Sequence, residues 1–363
     1  MDSNILEWNQ VKRNQVKREA WWTILALAGL AGILAWVQWT WNPYWVRVLN
    51  LCGIYIVLGA SLNLIFGFTG QFSLGHAGFM AIGAYTTALL TMSPEQKVST
   101  YIIEPLLSPL DKIHLPFFFA LLAGGLTAAL FGSLVGGPTL RLKGDYLAIA
   151  SLGFAEIIRV VANNTVSITN GALGLKGIPM HTNLAWSWGW AVFTVFFIRR
   201  LVTSSYGRAF LAIRENELAA ESMGVSLFRH KLLSFTISAF FAGVGGGLLG
   251  NLITTIDPKT FIFLMTFNVL IIVVIGGQGS LTGTCIAAVA ITILLEALRP
   301  IEAPMSIWGL HLPGIPGLRM VIFSAMLLSA ILFWRRGITG GREFRWTLIT
   351  DRGSDRPAAG KKA

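Results

Sequence analysis

The sequence predicts an all-α, polytopic membrane protein, and three observations carry that expectation. The 363 residues are 54% hydrophobic and only 12% charged, with a mean hydropathy of +0.65. A soluble domain carries about a quarter charged residues. Apolar runs near the roughly 20 residues that a spanning helix needs recur along the chain, without the alternation over ~10 residues that marks barrel strands. The net charge of +11 is not gathered into a nucleic-acid patch: its basic residues flank the apolar runs, where they set topology.

Taken in order, residues 1–20 read as a retained cytoplasmic tail, too polar for a cleavable signal peptide and followed by no small-residue cleavage site. A transmembrane domain over 21–336 follows, with ten candidate spans at about 21–39, 45–66, 72–92, 115–136, 145–163, 185–202, 231–253, 261–276, 283–298 and 319–334. The sixth, eighth and ninth are short, which tilt or local thinning of the bilayer accommodates. With the N-terminus inside, twenty of the 28 Lys and Arg residues fall on cytoplasmic segments and seven outside, so both ends are expected inside. Trp36, Trp39, Trp41, Tyr44 and Trp45 crowd the first outer turn, as interfacial aromatics do. Residues 337–363 are too poor in apolar side chains to build a core and read as a flexible cytoplasmic tail.

Little in the chain points to catalysis. Cys52 and Cys285 sit singly in apolar runs and form no metal or redox spacing. His76, His114, His181, His230 and His311 are scattered, and Gly360-Lys361 lacks the upstream glycine of a phosphate-binding loop. The expectation is no catalytic residue, no metal site, no cofactor and no nucleotide site in this chain.

The stretch FGFTGQFSLGHAGFMAIGAY, 66–85, interrupts an otherwise apolar region. Backbone breaks at membrane depth are tolerated only where they line a cavity or are buried in protein. Gly67, Gly70 and Gly75 let the chain turn, while Gln71, Ser73 and His76 place donors and acceptors at a helix N-terminus. Such a terminus favours an anionic group such as a carboxylate. Gly70, Gln71, Ser73, Gly75 and His76 are therefore candidates for a substrate pathway of the broken-helix kind; the alternative is close helix packing with a satisfied histidine.

Glu156 and Arg159 lie three apart within a span, where one acidic residue costs about 2.5–3.5 kcal/mol and its partner offsets part of that. They form either a polar element on the pathway or an interfacial pair. Glu296 reads as interfacial, and Asp145 as the cap of the fifth helix. Two further glycine features stand out. The turn GGQGSLTG, 276–283, echoes GQFSLGHAG by convergent turn chemistry, and Gly243, Gly245, Gly246 and Gly247 suggest close packing.

Between the sixth and seventh spans lies SYGRAFLAIRENELAAESMGVSLFRHKLL, 205–233, rich in helix formers and charge, with Gly224 as a C-terminal stop. Together with GQFSLGHAGFMAIGAY, LRLKGDYLAIASLGFAEIIR and TNGALGLKGIP, the string YGRAFLAIRENELAAESMG resembles the M-type permease subunits of branched-chain and neutral amino-acid ABC importers. The likeness covers about 45–335. It departs from the general cytoplasmic-loop motif at Leu218, where that motif has Glu, and in lacking the Ile-x-Leu-Pro that follows.

The resemblance implies an ABC importer permease fold in a bacterial inner membrane. It implies a second permease, against which Gly243, Gly245, Gly246 and Gly247 would pack, two ATP-binding subunits carrying the ATP and magnesium, and an external substrate-binding protein, toward which the compact loop TNGALGLKGIP would face. It further implies that the segment 205–230 is a coupling segment, docking to the ATPase through Arg214, Glu215, Asn216, Glu217, Ala219, Ala220, Glu221 and Gly224. The alternatives are a urea or short-amide importer of related architecture, or an ion-coupled secondary transporter working alone.

Overall fold

The computed structural model describes Trp21, residues 25–26, 28–101, 104–142 and 144–299, and parts of 305–338. The expected tail 1–20, nearly all of the expected tail 337–363 and most of the tenth candidate span, 319–334, lie outside the described residues. The chain divides into two units, one of 1–42 with 342–363 and one of 43–341. In the first, residues 28–40 are helical, and the Thr40 hydroxyl donates to Trp36 O.

The second unit is a helical bundle, and its elements follow the apolar runs of the sequence. Helix α1 is Pro43–Asn63, α2 His76–Thr91, α3 Pro94–Thr100, α4 Phe117–Thr139, α5 Asp145–Asn164 and α6 Leu184–Val202. Helices α7, Ser205–Glu215, and α8, Glu217–Ser222, precede α9, Leu227–Ile253, α10, Phe263–Gly276, and α11, Leu281–Ala297. Counting the π-helical turn that continues α1, Pro43–Phe68, Phe117–Thr139 and Leu227–Ile253 are long and apolar enough to cross a membrane; α10 and α11 are shorter apolar helices.

Helix α9 is the centre, packed against α2, α4 and α1, with α6, α10 and α11 against α1 and α5 against α2. The glycines of α9 make this possible. A Cβ at Gly246 would lie 2.1 Å from Met80 O, and one at Gly243 would lie 2.4 Å from the Ala128 methyl. Gly245 meets Leu58 and Gly247 meets Thr87 in the same way. The expectation that this cluster packs on a partner permease is thereby corrected: these glycines are spent on helices of their own chain, where small residues let backbones approach. Outward, Leu126, Leu130 and Leu134 of α4 and Phe193, Phe196 and Phe197 of α6 are exposed, the apolar exterior that lipid favours over water.

Two other expectations change. Asp145 is not the cap of α5; Gly144, at φ +57°, holds that place, and Asp145 occupies the first helical turn, where its charge still suits the helix dipole. The loop TNGALGLKGIP is tightly built. Its strand β1, Leu175–Lys176, pairs antiparallel with β2, Thr255–Ile256, just past α9. Gly174 sits at φ +65° where a Cβ would fall 2.1 Å from Ile256 O. Asn170, itself left-handed at φ 60°, ties the turn by donating to Gly174 O at 2.9 Å.

Candidate functional site

The site is built around the break between α1 and α2. Helix α1 does not simply stop; it widens into a π-helical turn, Leu64–Phe68, and the chain then runs without regular structure to His76. Helix α2 thus begins four residues later than the sequence suggests. Such π turns occur often at functional sites. Three of the carbonyls left over at the end of α1 are answered. Leu64 O accepts from the Thr69 hydroxyl at 2.9 Å, Ile65 O from Gln71 N at 3.0 Å, and Gly67 O from Arg214 Nη1 at 2.8 Å.

At the start of α2 the free amides are met from other helices. Leu74 N donates to Ser151 Oγ of α5 and Ala77 N to Thr266 Oγ1 of α10, both at 2.9 Å. This is how irregular backbone survives in an apolar setting: protein groups replace the water that is missing. Gln71, Ser73 and His76 are all buried, as is Gly75, whose missing side chain leaves room for Ser151 O; Gly70, at φ +72°, is exposed.

His76 Nε2 lies 3.1 Å from Ser61 Oγ, and that hydroxyl also lies 2.8 Å from Leu58 O. Gln71 Nε2 donates to Ser234 Oγ at 3.1 Å and Lys231 O at 3.4 Å, both on α9. Among the described residues its Oε1 is buried and finds no donor.

The segment 205–224 reaches this break. It is not one rigid helix, as expected from its helix formers. Asn216, in extended backbone, divides α7 from α8 and caps the second by accepting from Ala219 N at 3.1 Å. Arg214 turns inward to Gly67 O and also pairs with Glu215 at 2.6 Å. Glu217 pairs with Lys231 at 2.6 Å, and Lys231, which the sequence suggests is an exposed topology signal, is buried at the start of α9. Ala220 is buried while Ala219 and Glu221 are exposed, and Gly224 ends the segment at φ +82°. Leu218 and Met223 stand out into solvent at 70% and 85% exposure, an apolar pair that α8 leaves uncovered.

The turn 276–283 belongs to the same assembly. Asn63 Oδ1 accepts from Gly279 N at 2.9 Å, and its Nδ2 donates to Ser280 O at 3.0 Å and Thr284 Oγ1 at 2.8 Å. The turn 276–283 therefore packs on the end of α1, at Asn63 and Gly67. Glu156 and Arg159 pair with each other at 2.7 Å on α5 and remain about a third exposed. Glu296 accepts from Tyr44 at 2.6 Å and Arg299 at 2.8 Å.

Sequence reasoning missed Asn63, Ser61, Ser151, Thr266 and Ser234. Asn63 carried a signal, as a lone amide at the end of an apolar run; the hydroxyls did not, since serine and threonine are ordinary in such helices. Among the described residues no group of three or more His, Cys, Asp or Glu side chains could hold a metal ion.

With this geometry in view, the similarities to known proteins become informative. The chain is 37% identical over 288 residues to the high-affinity branched-chain amino acid transport system permease protein LivM of Escherichia coli K12, covering 70% of this chain and 63% of that protein. It therefore spans just under two thirds of that relative's length. It is 22% identical over 315 residues to the "Probable branched-chain amino acid transport permease protein LivM" of Methanocaldococcus jannaschii, covering 78% of this chain and 89% of that one. It is 22% identical to the permease LivH of Salmonella typhimurium, covering 69% and 82%. No solved structure matches the chain. Residues 44–331 match the family described as the permease component of the branched-chain amino acid transport system, and this multi-pass membrane chain belongs to that family.

Proposed function

We propose that this chain is a permease subunit of an ATP-driven, binding-protein-dependent importer of branched-chain and neutral amino acids in a bacterial inner membrane. The match of residues 44–331 to the permease family carries the reading, and the similarity to both LivM and LivH proteins supports a pair of unlike permeases. ATP and magnesium are handled by two partner subunits, and selectivity rests largely with the external binding protein.

Within the chain, the break at 64–75 lies on the substrate path. Gln71 Oε1 is a buried acceptor that an ammonium group can use, and the first turn of α2 offers its dipole to a carboxylate. The segment 205–224 meets the ATP-binding subunit, with Leu218 and Met223 as the apolar contacts. Arg214 and Glu217 face their own chain and pass the movement on.

Gentle solubilisation from native membranes followed by mass spectrometry of what co-purifies tests this. A subunit with a phosphate-binding loop and a second permease are expected. A chain recovered alone, with uptake driven by an ion gradient in ATP-free vesicles, contradicts the proposal.

A further inference from the structure

We propose that Arg214 is a positioning residue for transport: it locks α7 to the intramembrane break and to the turn 277–280 at once, through a slot shaped by Gly67, Gly70 and Gly279. The inference rests on the importer reading above and adds to it the residue through which movement enters the membrane region.

The slot is defined by what cannot fit in it. A Cβ at Gly70 would lie 2.9 Å from Arg214 Cγ and 3.2 Å from its Cα, so the arginine stem lies flat on that glycine. A Cβ at Gly279 would lie 2.8 Å from Arg214 Nη1, so the guanidinium sits over the second turn. Gly67 leaves space for the two turns to meet: a Cβ there would fall 1.8 Å from Asn63 Oδ1 and 2.3 Å from Gly279 N. Gly70 and Gly279 also hold positive φ, +72° and +77°, which other residues rarely adopt.

Into this slot Arg214 sends Nη1 to Gly67 O at 2.8 Å, while Nε and Nη2 hold Glu215 Oε1 at 3.1 and 2.6 Å. One planar fork is thus fixed on both sides, which a lysine ammonium cannot reproduce. Asn63 continues the connection from Gly279 and Ser280 into α1. A displacement of α7 therefore moves the end of α1 and the α10–α11 turn together. A signal requires such a shared element with differing contacts in two states.

Two measurements test this. Hydrogen exchange on the full chain in lipid nanodiscs compares wild type with Arg214→Ala and Gly279→Ala. Exchange at 64–72 and 276–281 is expected to rise at least tenfold in both variants, with 238–250 of α9 unchanged. Exchange at the two turns equal to wild type overturns the proposal, as does a uniform rise along the chain. Should Arg214→Ala fail to fold, Gly279→Ala decides alone.

In proteoliposomes of the co-purified complex, leucine taken up per ATP hydrolysed is expected to fall at least tenfold for Arg214→Ala and less for Arg214→Lys. Arg199→Ala, at the exposed end of α6, is expected to leave the ratio unchanged. An unchanged ratio for Arg214→Ala overturns the positioning role. A wild-type complex with no ATP-dependent uptake counts against the importer reading alone, and the exchange result still judges the slot.

Discussion

Asn63 spends its whole side-chain amide on one neighbouring turn, with three hydrogen bonds between 2.8 and 3.0 Å to Gly279, Ser280 and Thr284. Leaving a buried group unpaired costs about 1–3 kcal/mol. Asn63→Ala is therefore expected to lower the melting temperature of the purified protein clearly, whereas Asn164→Ala, on an exposed amide, leaves it nearly unchanged. Gly246 makes the complementary point by packing alone. Placing leucine where a Cβ already falls 2.1 Å from Met80 O forces α9 from α2, an overpacking cost of 1–3 kcal/mol or more. Gly246→Leu is expected to abolish recovery of folded protein, while Gly153→Leu, with open space around its Cβ position, is tolerated; size-exclusion profiles after solubilisation check both. The partners of neither residue can be seen from its neighbours in sequence, because they lie more than 150 positions away.

At the scale of elements, α3 shows how charge is used away from the spans. Lys97 is 1% exposed and donates to Leu110 O at 2.8 Å and Ile113 O at 2.5 Å, clamping the loop that leads to α4. Burial holds its ammonium below the ordinary lysine pKa of 10.5, opposed by the nearby Asp111. The unfolded chain then binds more protons between the folded-state pKa and that value, so stability rises with pH across this window. Thermal melting at increasing pH up to about 10 is expected to show that rise in wild type and to lose it in Lys97→Met. Among the described residues the long helices were legible, since apolar runs and polar breaks mark them; the irregular stretch after Phe66 was legible too, from glycines and amides where lipid should be. Less visible was how elements engage. Helix formers over 205–224 hid the division at Asn216, because its capping bond to Ala219 competes locally with a continuous helix. Lys231 looked like a topology signal, because only the fold brings Glu217 to it.

For the molecule as a whole, the bundle joins two regions that the sequence keeps apart. The break at 64–75 and the segment 205–224 are linked on one side by Arg214 and Gly67, and on the other by Glu217, Lys231 and Gln71. In the importer reading, ATP-driven movement at α7 and α8 enters the substrate path through these two links. The central claim is that the chain carries amino acids at the expense of ATP, and one measurement addresses it most directly. The complex purified with this chain is placed in proteoliposomes with its binding protein, and uptake of radiolabelled leucine is followed with ATP or a non-hydrolysable analogue supplied to the ATPase side. The account predicts concentrative uptake with ATP and none with the analogue, at any ion gradient. Uptake that ignores ATP and follows an imposed proton or sodium gradient would contradict it.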